Sequence, residues 1–96
     1  MRQYYVYIIA SKRNGSLYIG VTNNLLKRVH GHKNDLMGGF TQKYHVHNLV
    51  YYEVYCDIID AITREKRMKK WKRQWKIDLI EKTNPQCRDL YSDIMN

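Results

Sequence analysis

A strong hairpin signal near the start of the chain constrains its fold more than any other feature. Two segments, residues 3–10 (QYYVYIIA) and 17–21 (LYIGV), are rich in β-branched and aromatic residues, which favour strands. Asn14 and Gly15 lie between them, and this dipeptide is common in the tight turns of antiparallel hairpins. The sequence therefore predicts two antiparallel strands joined by a short turn.

The length of that turn decides which side chains share a face of the sheet. If Asn14 and Gly15 form a two-residue turn, Ser11 lies opposite Tyr18. The period of two along a strand then places Tyr7 and Tyr18 on the same face. A loop longer by an even number of residues keeps this arrangement, whereas an odd change reverses it.

A helix is predicted directly after the hairpin. Asn23 or Asn24 is suited to cap it through the side-chain oxygen. Arg28 and His32 then lie one turn apart, so the helix presents a cation and an imidazole together. Its apolar stripe is formed by Leu25, Leu26 and Val29.

The next segments predict a loop, a third strand and a further helix. The loop spans residues 34–44, and the strand spans residues 49–55 (LVYYEVY). Asp57 or Asp60 is placed to cap the helix, which we expect to reach about residue 69.

A basic run begins within this helix. Residues 64–76 hold eight lysine or arginine residues, with Trp71 and Trp75 one helical turn apart. A second helical stretch is expected from about residue 72 to residue 82, ended by Pro85, which lacks an amide hydrogen. The sequence leaves open whether the chain breaks at Trp71 or continues as one helix. We expect the tryptophans in the core and the cations facing a polyanion.

The length and charge of the chain narrow its class. With 96 residues there is room for one domain, residues 1–96, with a modest core. The formal net charge is +8, and a surplus of this size attracts polyanions. Nucleic acid is therefore the leading expected partner, and an anionic membrane surface is second. The oligomeric state does not follow from the sequence.

Export and membrane insertion are not indicated. No apolar run approaches the length that crosses a bilayer, and the first residues lack the apolar segment of a signal peptide. Cys56 and Cys87 are too few for a disulfide framework, and we expect both to be reduced. The predicted location is the cytoplasm.

One carboxylate is predicted to point inward. Glu65 falls at helical spacing with the apolar residues Ile58, Ile62 and Met68. Because a carboxylate withdrawn from water is costly without a partner, Glu65 needs a cation, a metal or a hydrogen-bond donor. The residues alone leave open a bound metal or a salt bridge to Arg64, Arg67 or Lys69.

Two tyrosine triplets resemble the signature of the GIY-YIG nuclease superfamily. They are residues 5–7 (YVY) and 18–20 (YIG), and Arg28 follows on a helix at the family's spacing. The similarity covers nearly the whole chain, and short stand-alone bacterial proteins, the UPF0213-like group, look most similar. It continues through residues 38–41 (GGFT), 43–44 (KY), 49–53 (LVYYE), 64–65 (RE), 70–72 (KWK) and 84–85 (NP).

This resemblance implies a fold and a reaction. The fold is α/β, a small three-stranded antiparallel sheet flanked by helices. The reaction is metal-dependent endonucleolytic hydrolysis of DNA phosphodiester bonds, with structure-specific cleavage as one option, in DNA repair or recombination. Glu65 matches the carboxylate that binds the single divalent cation, Mg²⁺ or Mn²⁺, both of which prefer oxygen ligands. Arg28 matches the residue that binds the scissile phosphate and stabilises transition-state charge.

The general base has several candidates. The family uses tyrosines at the positions of Tyr7 and Tyr18, and in some members a lysine assists three residues after the second tyrosine. Val21 occupies that position here, so His32 is the substitute helper. We expect Tyr18 to accept the proton and Tyr7 to position it, because Gly20 allows the substrate backbone to approach closely.

Further residues are expected to contact substrate. Tyr44 resembles a recurrent tyrosine of the short group, and Asn84 resembles a late polar residue of the family site. The cations expected to face DNA are Lys69, Lys72 and Arg73.

Three alternatives remain open. The first is a nucleic-acid-binding module without catalysis, favoured by Val21 in place of lysine. The second is a protein-interaction domain that uses exposed aromatic residues. The third is a structural zinc site, whose candidate ligands fit no common zinc spacing. Those candidates are His30, His32, His45, His47, Cys56 and Cys87.

Overall fold

A computed structural model describes residues 2–34, 36 and 39–95, leaving aside the side chains of Phe40 and Thr41. Gly38, one of the residues that carry the family resemblance, lies outside these described residues. The strands are β1 (Tyr4–Ala10), β2 (Leu17–Thr22) and β3 (Asn48–Tyr55). The helices are α1 (Leu25–Lys33), α2 (Gly39–Lys43), α3 (Ile58–Lys70), α4 (Arg73–Thr83) and α5 (Tyr91–Ile94).

The three strands form an antiparallel sheet in the order β2-β1-β3. β1 is central, and its residues from Val6 to Ala10 are all buried, as its continuous apolar sequence requires. One face packs against α3 and α4 through Ala61, Met68 and Ile80. The other packs against α1 and the C-terminal segment. The predicted α/β fold, a small antiparallel sheet flanked by helices, is confirmed.

The hairpin turn is longer than predicted. Ile9, and not Ser11, lies opposite Tyr18. The chain turns between Lys12 and Gly15, where the Gly15 amide donates to the Lys12 carbonyl over 2.9 Å. Asn14 adopts the left-handed region at φ 59°, which asparagine tolerates better than most residues. The two-residue turn is therefore wrong.

The error in the turn does not alter the predicted face. The observed pairing differs from the predicted one by two residues, an even number, so Tyr18 keeps its orientation. Tyr7 and Tyr18 share the α1 face of the sheet, with ring centroids 6.4 Å apart.

The helix boundaries resolve the alternatives that the sequence leaves open. Asn24 caps α1 by accepting a hydrogen bond from the Lys27 amide, and Asp57 caps α3 in the same way. Trp71 takes an extended conformation with ψ 150°, so the chain breaks between α3 and α4.

Several local expectations are wrong. The predicted loop over residues 34–44 contains the short helix α2, and α5 is a further helix that the sequence pattern does not predict. Leu26 is 41% exposed rather than part of the buried stripe. Trp71 is partly buried, whereas Trp75, predicted to be core, is 54% exposed. Among the described residues, no helix combines the length and apolar character needed to cross a membrane.

Candidate active site

Tyr7 lies at the centre of the predicted site. Its ring is fully buried on the α1 face, and its cross-strand neighbour is Gly20. A Cβ atom at Gly20 would lie 2.4 Å from the Tyr7 hydroxyl oxygen, which no side chain tolerates. Gly20 is therefore required by the ring of Tyr7. The expectation that the glycine also serves the close approach of a substrate backbone stays a prediction.

His32 packs against both tyrosines. Its Nε2 atom lies 3.1 Å from the Tyr7 hydroxyl, and its ring centroid is 5.5 Å from that of Tyr18. Burial lowers the pKa of His32 to about 4, with contributions from the positive charge of Arg28 and from His47. The imidazole is thus neutral at physiological pH, whereas the sequence suggested a group that titrates near neutrality.

Arg28 lies one helical turn before His32 on α1 and belongs to the same cluster. Burial raises the pKa of Tyr7 to about 12, and the nearby Tyr18 adds to the effect. A hydrogen bond from Arg28, together with its positive charge, opposes that rise without cancelling it. Tyr7 therefore keeps its proton at neutral pH. Arg28 itself is only partly buried, so its remaining donors are accessible.

Glu65 points inward as predicted. Its side chain is 14% exposed, and its negative charge also contributes to the raised pKa of Tyr7, so the two groups lie near each other. The ion pair is made with Lys69, whose Nζ atom lies 3.3 Å from Oε2. The carboxylate thus belongs to the same constellation as the tyrosines.

The surroundings of Glu65 fit a divalent cation. Lys69 is a flexible partner with a half-exposed side chain, so it can leave when a stronger cation arrives. Among the described residues there is no group of three or more His, Cys, Asp or Glu suited to hold a metal. A single carboxylate suits Mg²⁺ or Mn²⁺, which usually keep several waters and take one or two protein ligands.

A groove of about 240 Å³ opens beside Tyr18 at the outer edge of β2. Besides Tyr18 it is lined by Leu17, Ile19, Lys69 and Lys76. Lys69 thus lies beside Tyr18, with Lys76 as an additional cation there, and the predicted contact of Lys69 with DNA stays a prediction. Lys69 and Lys76 are seven residues apart, a spacing that places two residues on one face of a helix, and both line this groove although the chain breaks at Trp71 between them.

A second cavity, of about 470 Å³, borders Arg28 itself. It is lined by residues of α1 and the end of β2, with Lys27 and His30 among them. Arg28 thus borders one opening and Tyr18 another.

The other predicted substrate residues have varied surroundings. Lys72 is exposed at the N-cap of α4, and the Arg73 guanidinium donates to the Gly15 carbonyl, which ties α4 to the hairpin turn. Tyr44 follows α2 and is 45% exposed, with the Lys43 ammonium 5.4 Å from its ring centroid.

The side chain of Asn84 is buried and makes its hydrogen bonds within the protein. It is 4% exposed, and its amide nitrogen donates to the Val50 carbonyl over 3.1 Å and to the Arg88 carbonyl over 2.9 Å. Its side-chain oxygen accepts from the Arg88 amide. Because both amide hydrogens are used, none is left for a phosphate. The predicted substrate role is replaced by that of a helix end tied to β3.

A polar cluster on the α3 face of the sheet was not predicted from the sequence. Arg64 donates two hydrogen bonds to Glu53, at 3.0 and 2.9 Å, and the hydroxyls of Tyr51 and Tyr55 donate to the same carboxylate. Burial opposes ionisation of Glu53, but these hydrogen bonds hold its pKa below the usual range. The alternation Tyr-x-Glu-x-Tyr was an available signal, because it places these three residues on one face of a strand.

Comparison with known proteins identifies relatives over most of the chain. The family described as the GIY-YIG catalytic domain matches residues 3–78. A UPF0213 protein of Clostridium perfringens is 41% identical over 76 residues, covering 79% of this chain and 81% of that protein. A UPF0213 protein of Staphylococcus saprophyticus is 35% identical over 80 residues, covering 83% of this chain and 96% of that protein.

A solved structure matches the fold. The solution NMR structure of a UPF0213 protein from Bacillus halodurans aligns with a TM-score of 0.53 and 24% identity, covering 85% of this chain and 86% of that one. At this identity the likeness shows the fold alone. The printed names of these relatives state no reaction, so they identify a family and not a substrate.

Proposed function

This chain belongs to the GIY-YIG family of nuclease domains, and from that membership we propose that it is a metal-dependent endonuclease that hydrolyses DNA phosphodiester bonds. One observation carries the proposal: Tyr7, Tyr18, Arg28 and His32 pack together, and the charge of Glu65 acts on the same group. Five residues from β1, β2, α1 and α3 thus lie near one another, and Tyr18 among them lines an open groove.

The charge of the chain supports a polyanionic substrate. The net charge is +8, and two lysines line the groove beside Tyr18. In this proposal a phosphodiester backbone lies along this groove beside Tyr18. We propose that the substrate is DNA handled in repair or recombination, with Lys69, Lys72 and Lys76 in contact with its phosphates.

Arg28 is suited to hold the scissile phosphate. Its guanidinium is permanently charged, its charge acts on Tyr7, and it is only partly buried, so donors stay accessible. A cation held in this way stabilises the negative charge that develops on phosphorus oxygens in the transition state.

The two tyrosines are assigned different roles. Tyr7 is buried, with a pKa of about 12, so it retains its proton and acts by positioning. The Tyr7 hydroxyl lies 3.1 Å from Nε2 of the neutral His32, so in this proposal it donates its hydrogen to that nitrogen. Tyr18 lines the groove and is reached by solvent, so it is the better acceptor for the proton of the attacking water.

Glu65 is the residue that would hold Mg²⁺ or Mn²⁺. When bound, such a cation supplies Lewis-acid charge for the oxygen that leaves phosphorus. Glu65 contributes a carboxylate that is mostly shielded from solvent, and Lys69 neutralises it until the cation binds.

A binding module without catalysis is the second candidate. It is favoured by one observation, namely that Val21 occupies the position where some family members carry a helper lysine. Both candidates bind DNA, so only turnover distinguishes them.

The experiment is a cleavage assay on linear, branched and single-stranded DNA with Mn²⁺ or Mg²⁺, and in parallel with a chelator. The nuclease produces cuts that depend on the cation. Binding to the same DNAs without a cut under any cation condition would favour the non-catalytic module.

A further inference from the structure

The two tryptophans of the chain form an exposed aromatic groove at the junction of α3 and α4. Their ring centroids are 6.2 Å apart, with the planes inclined at 73°. Trp75 is 54% exposed, which is unusual for so large an aromatic side chain. The groove has a volume of about 280 Å³ and is lined by Trp71, Trp75, Asp78, Leu79 and Lys82.

The floor of this groove is held rigidly. The Arg64 guanidinium lies 4.9 Å from the Trp71 ring centroid, and Arg64 is itself fixed by two hydrogen bonds to Glu53. On the wall, Asp78 accepts a hydrogen bond from Gln74 over 2.9 Å. A binding surface with fixed walls loses little conformational entropy when a ligand arrives.

We infer that this groove binds an unpaired base of a nucleic-acid strand. An exposed indole offers a flat apolar face on which any base can stack. The volume lies just below the roughly 300–1,000 Å³ of ordinary small-molecule pockets, so it suits one planar ring system rather than the several anchors of a docked helix.

The charges around the groove favour a base inside the groove and phosphates beside it. Asp78 in the lining repels a phosphate but accepts a hydrogen bond from the amino group of a base. Lys82 at the groove, and Lys72 and Lys76 next to the tryptophans in the chain, supply cations for the phosphates on either side of the stacked base. A base with its flanking phosphates therefore matches the groove better than an apolar peptide.

The tryptophans of this groove are close in sequence to two lysines that lie beside Tyr18. Lys69 and Lys76 line the opening beside Tyr18, and each lies within two residues of a tryptophan. In this inference one strand contacts these lysines and places an unpaired base at Trp75. This inference rests on the proposed function and deepens it, because the substrate is then DNA with an unpaired segment next to the cleaved bond.

Tryptophan fluorescence gives a direct test. The chain has only these two tryptophans, so all tryptophan emission comes from the groove. The wild-type protein, in chelator to prevent cleavage, is titrated with a short oligothymidine and separately with a blunt duplex. Saturable quenching by the single strand is the expected result. Emission that instead depends on protein concentration would overturn the inference and identify a self-association surface.

Substitutions at Trp75 supply the matched comparison. Trp75→Ala should weaken oligothymidine binding by about 5- to 100-fold, the range found when one stacked base loses its aromatic partner. Trp75→Phe should retain most of the affinity, and blunt-duplex binding should not change. Ile59→Ala alters an exposed side chain on α3 that does not line the groove, and it should leave both affinities unchanged. Equal single-strand affinity for Trp75→Ala and the parent would overturn the inference.

No step of this test measures cleavage. A protein that binds single strands through Trp75 but cuts no DNA would retain the groove and lose the nuclease. If the parent protein cuts DNA and Trp75→Ala binds single strands as tightly as the parent, the nuclease is supported and the base-binding groove is refuted.

Discussion

Tyr7 and Tyr18 lie side by side on one face of the sheet but have different surroundings. Tyr7 is buried beneath His32 and Arg28, over the space that Gly20 leaves open. Tyr18 lies at the edge strand and faces the groove. The proposed function therefore assigns the two phenols separate roles, because Tyr7 is fully buried whereas Tyr18 lines the groove.

Tyr18→Phe should lower the single-turnover cleavage rate by about a hundredfold or more, since that is the usual scale for losing a general base. Tyr7→Phe is the matched control at the neighbouring ring. It should cost less, because Tyr7 keeps its proton throughout, with a pKa of about 12. Rates measured from pH 6 to pH 9 provide the check, and a Tyr18→Phe enzyme as fast as the parent would remove Tyr18 from the role of base.

Some of these residues could be identified from the sequence and others could not. Asn24, Asp57 and the strand segments carry local signals, so their structure follows from short windows of sequence. The burial of His32 and the double hydrogen bond of Asn84 depend on partners 25 and 34 residues away, which no local pattern contains. The exposure of Trp75 likewise depends on where Trp71 breaks the helix.

At the scale of elements, α3 is fixed to β3 by a polar cluster rather than by apolar packing alone. Arg64 on α3 pairs with Glu53 on β3, whereas the next residue on α3, Glu65, pairs with Lys69. The cluster thus has two consequences: it anchors the helix that carries the candidate metal ligand, and it supports the Trp71 ring.

Glu53→Gln should lower the free energy of unfolding by about 1–3 kcal/mol, because Arg64 is left without its counter-charge in a partly buried setting. The folded-state pKa of Glu53 is lowered, so its contribution is present above the pKa of the unfolded chain and is lost as pH falls through the folded value. The parent and the variant should therefore converge in stability at acidic pH.

Urea denaturation from pH 7 down to pH 3 measures this difference. Asp93→Asn is the control, since it makes the same carboxylate-to-amide change in a fully exposed pair with Arg88 and should leave the midpoint unchanged. A Glu53→Gln protein as stable as the parent at pH 7 would show that apolar packing alone holds α3 in place.

At the scale of the whole molecule, several cations lie near the candidate site. Lys69 and Lys76 line the groove beside Tyr18, and Lys27 and Arg28 border the larger cavity at α1. Lys72 is the N-cap of α4. Under the proposed function, these cations contact the phosphates of a DNA strand.

DNA affinity should fall steeply with salt, because each neutralised phosphate contributes about 0.9 to the slope of log affinity against log salt. Lys72→Gln and Lys76→Gln should each reduce that slope by about this amount. Arg88→Gln should not, since Arg88 is already paired with Asp93. Fluorescence anisotropy across a salt series in chelator provides the measurement, and a slope indifferent to both lysine changes would reduce the basic run to a solubilising surface.

The nuclease assignment is tested most directly by comparing Glu65→Gln with the parent in cleavage and in binding. The amide keeps the shape of the side chain but removes the charge that a divalent cation requires. We expect Mn²⁺-dependent cleavage to be lost while DNA affinity in chelator stays within a few-fold of the parent. Full cleavage by Glu65→Gln, in a preparation free of contaminating nuclease, would contradict the assignment of Glu65 as the metal ligand of this enzyme.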